Sequence, residues 1–120
     1  MKPEEMLSKQ ICELLDKCHV YYFHPANEGK RGFGAIRSFH NNGGRAGVAD
    51  LVLLLPFARC VFVELKADKN KQRKSQIEFE NKVRSLGFEY YVWRNVDDAV
   101  VFCNQLIREA YCGSKIAGIF

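Results

Sequence analysis

Gly47-Val48-Ala49-Asp50-Leu51-Val52-Leu53-Leu54-Leu55-Pro56-Phe57-Ala58-Arg59-Cys60-Val61-Phe62-Val63-Glu64-Leu65-Lys66 decides how this chain folds. It reads as two apolar strands, Leu51 to Leu55 and Cys60 to Leu65, joined by a short turn at Pro56 to Arg59, with charges only at the strand ends. Successive side chains of a strand point to opposite faces, so Val61, Val63 and Leu65 share one face and Phe62, Glu64 and Lys66 the other. Glu64 and Lys66 are then neighbours about 7 Å apart along the strand. If the two strands pair, Asp50 at the opening of the first comes near them. Two carboxylates and an ammonium would gather at the rim of a hydrophobic sheet.

Charged groups are rarely buried without partners. Two adjacent carboxylates repel unless a cation relieves them, and Mg²⁺ (or Mn²⁺) favours one or two carboxylates, water and phosphate oxygen as ligands. An ammonium beside a metal-bound water orients the nucleophile or offsets charge growing on a phosphate. Asp50, Glu64 and Lys66 therefore point to phosphodiester hydrolysis. The plain alternative is an ordinary surface pair of Glu64 and Lys66 with Asp50 capping a turn, because such short patterns also arise by accident. Placement on two consecutive buried strands favours the site.

With 120 residues, 48% of them hydrophobic and 27% charged, the chain has the balance of one globular domain. It contains no apolar run of membrane-spanning length and no signal-peptide-like apolar segment near its start, so no membrane partner and a cytoplasmic setting are expected. Its five cysteines include no close pair, which argues for reduced thiols over a disulfide framework or zinc site. His19, His24 and His40 lack helical ligand spacing; His24, at a strand end, is near enough in the chain to approach the site. The net charge of +4 says less than its distribution. Lys30, Arg31, Arg37 and Arg45 fall in one Gly-rich loop, and Lys69, Lys71, Arg73 and Lys74 follow Lys66.

Pro3 to Lys17 reads as a helix with Leu7, Ile11, Leu14 and Cys18 on its buried stripe. Glu4 extends that stripe and Glu5 points away. Glu4 is either a third acidic group for the site or a carboxylate complementing the helix dipole. Val20 to Phe23 is a strand, and His24 to Gly47 a long polar loop, helical at most over Phe33 to Phe39; its cations suit phosphate contacts, and simple solvation is the alternative. Ser75, with Glu78 three residues on, fits a capping box for a helix ending at Gly87, though the start could lie earlier. Its apolar surface would come from Ile77, Phe79, Val83 and Leu86. Gln76 in the first turn projects towards the Lys66 edge. Glu89 to Trp93 is a further strand, whose Tyr90, Tyr91 and Trp93 suit packing better than base stacking. Val96 to Ala110 is a last helix with Val100, Val101, Gln105 and Leu106 inward or at the boundary. These boundaries give a domain over 1–110 and a C-terminal tail over 111–120.

The order is α-β-β-β-α-β-α, and its motifs resemble one family. Asn27-Glu28-Gly29-Lys30-Arg31, Gly47-Val48-Ala49-Asp50-Leu51, Val63-Glu64-Leu65-Lys66, Ser75-x-x-Glu78 with Gln76, and Gly87-Phe88 are similar in order and spacing to VRR-NUC nucleases of the stand-alone phage or bacterial type. That family is a branch of the PD-(D/E)xK, restriction-endonuclease-like superfamily. The resemblance spans Glu4 to about Ile107. It implies an α/β fold with a restriction-endonuclease-like core, a mixed central sheet flanked by helices. It also implies metal held by Asp50, Glu64 and the Leu65 carbonyl, Lys66 assisting the attacking water, Gln76 completing the core, and Glu4, with Glu5 as fallback, as the acidic residue of the first helix. Ala49 replaces the family's usual proline, so Asp50 is expected to be held less rigidly. By the same resemblance the expected partner is branched DNA, met by a homodimer whose two-fold symmetry matches a four-way (Holliday) junction, in a bacterial or phage-infected cell. Backbone shape would be read through the loop cations. A flap- or sequence-directed nuclease or nickase on the same fold is the nearest alternative. A DNA-binding subunit that does not cut is the alternative from another class, against which the intact Asp50, Glu64 and Lys66 argue.

Overall fold

The computed structural model describes residues 2–25, 40, 41 and 43–117, and side chains as far as residue 110. Lys30, Arg31, Arg37, the Asn27 to Arg31 motif and the expected helical piece Phe33 to Phe39 lie outside the described residues. The elements run α1 (Pro3–Lys17), β1 (Tyr21–Phe23), β2 (Leu51–Leu55), β3 (Arg59–Leu65), α2 (Lys74–Ser85), β4 (Glu89–Trp93) and α3 (Val96–Ala117).

The four strands form one sheet in the order β1-β2-β3-β4. β1 pairs antiparallel with β2 and β2 with β3, whereas β4 joins β3 in parallel, so the sheet is mixed. The β2-β3 hairpin turns through Pro56, Phe57 and Ala58, with Phe57 at φ 64° and Ala58 at φ 60°. Positive φ at two successive residues lets so tight a connection follow the right-handed twist of the strands. Leu51 lies opposite Val63, so the residue before Leu51 falls beside the end of β3.

The period-two reading of the strands holds. Leu51, Leu53, Val61, Val63, Leu65 and Trp93 face α1 and α3, and meet Leu7, Ile11, Leu15, Ala99, Phe102 and Cys103 in the main core. Phe62, Tyr90 and Val92 face α2, where they pack with Ala49, Phe79 and Val83. Edge-to-face contacts of Phe62 with Phe79 and Phe88 fasten α2 and the turn after it to this second face. Tyr90, Tyr91 and Trp93 are packing residues, as the sequence indicates. At the hairpin end, Arg59 grips Glu89 through two guanidinium nitrogens and reaches Glu109 on α3, which ties β3, β4 and α3 together.

Helix phases differ from the sequence reading in detail. In α1 the stripe is Leu7, Ile11 and Leu15, with Leu14 and Cys18 only partly covered. In α3 it is Ala99, Phe102 and Cys103, while Val101 and Gln105 face solvent. In α2, Ile77 and Leu86 are exposed and the buried positions are Gln76 and Val83. α2 begins at Lys74 with Arg73 as its N-cap residue, two residues earlier than a Ser75 cap requires, and Gly87 at φ 89° follows its end. α3 continues past Ala110 to Ala117, through most of the expected tail.

Candidate active site

The β3 end towards α2 contains the unusual chemistry. Among the described residues, the buried polar or charged side chains are Glu64, 2% exposed, Lys66, 8%, and Gln76, 4%. All three were expected site residues, and the fold brings them together at one end of the sheet, where β3 finishes beside α2. The register that sets Leu51 against Val63 puts Asp50 across from Glu64. The Leu65 backbone N–H donates to Asp50 Oδ2 at 2.8 Å. This bond closes the sheet with a side chain where β2 has ended, and the Asp50 carboxyl also meets the Glu64 carboxyl.

Gln76 is locked by two bonds. Its Oε1 accepts from the Arg73 backbone N–H at 2.7 Å, and its Nε2 donates to Glu64 Oε1 at 3.0 Å. The first bond is a reciprocal cap on α2 and orients the amide, so the second presents a donor to Glu64. Gln76 and not Glu78 therefore fills the capping-box position. Glu64 Oε2 is buried with no hydrogen-bond partner among the described residues. Burial first, and then the adjacent Asp50 carboxylate, push the Glu64 carboxyl up to about 9, against the pull of Lys66 and Arg73. An orphaned carboxylate oxygen beside a second carboxylate is what a hard cation needs, and the two-carboxylate set with a backbone carbonyl at Leu65 fits Mg²⁺ or Mn²⁺. Among the described residues no group of three or more His, Cys, Asp or Glu side chains is placed around a common point, so such an ion would complete its shell with water and phosphate. Lys66 lies on the Glu64 face, its backbone N–H bonded to the Trp93 carbonyl at 3.0 Å.

Close contacts on both sides position the turn that carries Asp50. Ala49 is 1% exposed in the α2-side cluster. Gly47, at φ 76°, passes so close to α2 that a Cβ there would stand 2.2 Å from the Ser75 carbonyl oxygen and 2.7 Å from the Gln76 nitrogen. Only glycine permits that approach. On the other side, His24 Nδ1–H donates to the Asp50 carbonyl at 2.5 Å. The roles of Gly47 and His24 were missed as specific contacts; the motif spacing marked the glycine, and only the strand-end position of His24 hinted at the second.

The remaining expected residues fall elsewhere. Glu4 is half-buried at the start of α1 and accepts from Asn70 Nδ2 at 3.2 Å; it does not join the Asp50 and Glu64 pair. Glu5 accepts from the Lys2 backbone N–H. Arg45 is exposed and donates to the Gly44 carbonyl. Lys69, Lys71, Arg73 and Lys74 are all exposed beside the site.

No protein-family profile and no curated protein matches this sequence. Solved structures do match its fold. One described as "VRR_NUC domain" superposes with a TM-score of 0.63 at 20% identity, covering 90% of this chain and 97% of its own. Another, "VRR_NUC domain protein", gives a TM-score of 0.68 at 19% identity, covering 90% of each chain. The chain thus shares the fold of these VRR_NUC domain structures, in agreement with the order of its elements.

Proposed function

We propose that this chain is a Mg²⁺- or Mn²⁺-dependent DNA endonuclease that hydrolyses phosphodiester bonds in branched DNA, acting as a homodimer on structures such as four-way junctions. The observation that supports it most is the orphaned Glu64 Oε2 beside Asp50 at an end of the sheet otherwise built to be dry. The cation, when bound by Asp50, Glu64 and the Leu65 carbonyl, supplies Lewis-acid activation of water and neutralises phosphate charge. Gln76 engages one Glu64 oxygen, so that the other would be the one to hold a cation. Lys66 holds its ammonium beside Glu64, where it orients the attacking water and offsets charge growing on the phosphoryl oxygens. His24 and Gly47 keep Asp50 in register with Glu64. Lys30, Arg31, Arg37, Arg45, Lys69, Lys71, Arg73 and Lys74 are the proposed phosphate contacts. A two-fold pair of such centres suits two strands of a junction.

The test is cleavage of labelled four-way junction, flap, linear duplex and single-stranded DNA with Mg²⁺, Mn²⁺ or EDTA. The junction is expected to be cut fastest, only with metal. Asp50→Asn and Glu64→Gln each abolish cutting while junction binding persists, and Lys66→Ala slows cutting by about 10²-fold or more. Undiminished cutting by both carboxylate variants would end the assignment; equal rates on all four DNAs would end the junction preference alone.

A further inference from the structure

Between β3 and α2 the chain from Ala67 to Arg73 has no helix or strand, yet it is tied down at alternate residues. Arg94, just past β4, donates Nη1 to the carbonyls of Asn70 at 2.7 Å and Asp68 at 3.4 Å. Asn70 sends its Nδ2 to Glu4 on α1 and its backbone N–H to the Ala67 carbonyl. Gln72 Nε2 spans Glu80 on α2 at 3.1 Å and the Tyr90 hydroxyl on β4 at 3.2 Å. The Arg73 N–H ends on Gln76. Asp68 sits at φ 52°, a left-handed turn conformation that aspartate adopts more readily than most non-glycine residues.

Backbone ties at Asp68, Asn70 and Arg73, with the half-buried Gln72 side chain, fix the path of the segment, whose Asp68, Lys69, Asn70, Lys71 and Arg73 side chains are exposed. Lys69 and Lys71 are exposed, and their ammonium groups make no hydrogen bond or ion pair among the described residues. Arg73 is exposed, and Lys74 has only a 4.0 Å approach to the solvated Glu78. Apart from the exposed Asp68, the charges of the segment are all positive, and like charges held close repel. A polyanion relieves that repulsion and releases its own counterions. Because the segment is already ordered, its conformational entropy is lost on folding and not on binding.

We propose that Ala67–Arg73 is a prebuilt rail for a sugar-phosphate backbone, in which Arg94, the Glu4 and Asn70 pair, and Gln72 are positioning residues that hold Lys69, Lys71 and Arg73 outward next to Lys66. The proposal rests on the nuclease reading and adds a division of labour to it: some residues touch phosphate, others only fix those that do. Glu4 acts here through Asn70 on the shape of the rail.

Binding of a labelled four-way junction in EDTA, over a series of KCl concentrations, separates the two groups. Lys69→Ala and Lys71→Ala each lower the slope of log affinity against log salt by about one, the loss of one phosphate contact. Arg94→Ala, and Gln72→Ala from the opposite end of the segment, weaken binding roughly three- to tenfold at every salt concentration without changing the slope. Using two anchors guards against one variant that folds poorly, and thermal melting of each confirms the fold. Wild-type affinity in both anchor variants would overturn the proposal, as would a reduced slope in Arg94→Ala, which would make Arg94 a phosphate contact itself. Unchanged slopes in both lysine variants of a chain that still cuts would overturn the rail and leave the nuclease reading standing. A chain that binds with the expected slopes but cuts no DNA with Mg²⁺ or Mn²⁺ would support the rail and overturn the nuclease reading.

Discussion

Glu64 concentrates the tension in this molecule. An ordinary glutamate carboxyl titrates near 4.5, and this one is raised to about 9, chiefly by burial and then by Asp50. Between those values the folded, metal-free chain retains a proton that the unfolded chain has released. The stability this lends is complete below about 4.5 and is lost as pH rises towards 9. Melting temperatures measured in EDTA from pH 5 to 9 are therefore expected to fall for the wild type and to fall less for Glu64→Gln, which still accepts the Gln76 bond. Parallel curves would show that Glu64 does not carry the effect. Gly47 makes a second prediction at this scale. A methyl group 2.2 Å from a backbone oxygen cannot be accommodated by a side-chain rotation, so Gly47→Ala is expected to cost about 1–3 kcal/mol in chemical denaturation and to slow cleavage by displacing Asp50. An unaltered midpoint would mean that the loop yields freely.

At the scale of elements, the strands were legible because their signal is local. Alternation along Val61 to Lys66 placed Glu64 and Lys66 together on the face away from Val63, as observed. The helices were legible in extent more than in phase. α3 has apolar residues on several sides, and the sequence alone does not reveal which of Val100, Val101, Phe102 and Cys103 meets the sheet. Packing against Tyr91 and Trp93 selects Phe102. Phe102→Ala is accordingly expected to cost about 3–5 kcal/mol, whereas Val101→Lys, at a position 63% exposed, changes stability by about 0.5 kcal/mol or less. A comparable loss from both would contradict the phase. In α2 the obstacle was different. The buried stripe begins with a glutamine, which hydrophobic periodicity counts as solvent-facing; a polar residue in a core position marks the site, but only once its partner Glu64 is known.

For the whole molecule, three stretches remote in sequence converge: the turn before β2, the end of β3 and the start of α2. Motif order revealed that convergence; the contacts that enforce it, from His24 to the Asp50 carbonyl and from Gly47 to the Ser75 backbone, depend on the assembled fold. Sheet topology places the carboxylates at one end, and Arg59 with Glu89 and Glu109 at the hairpin end. No helix among the described residues is long and apolar enough to cross a membrane. In the proposed centre Asp50 and Glu64 would share one hard cation. Calorimetric titration of Mn²⁺ at pH 8, in buffers of different ionisation enthalpy, tests it most directly. Wild-type protein is expected to bind Mn²⁺ and to release a proton as it does so, with binding lost in Asp50→Asn and Glu64→Gln. Binding of equal strength in both variants, or uptake by the wild type without proton release, would contradict the account.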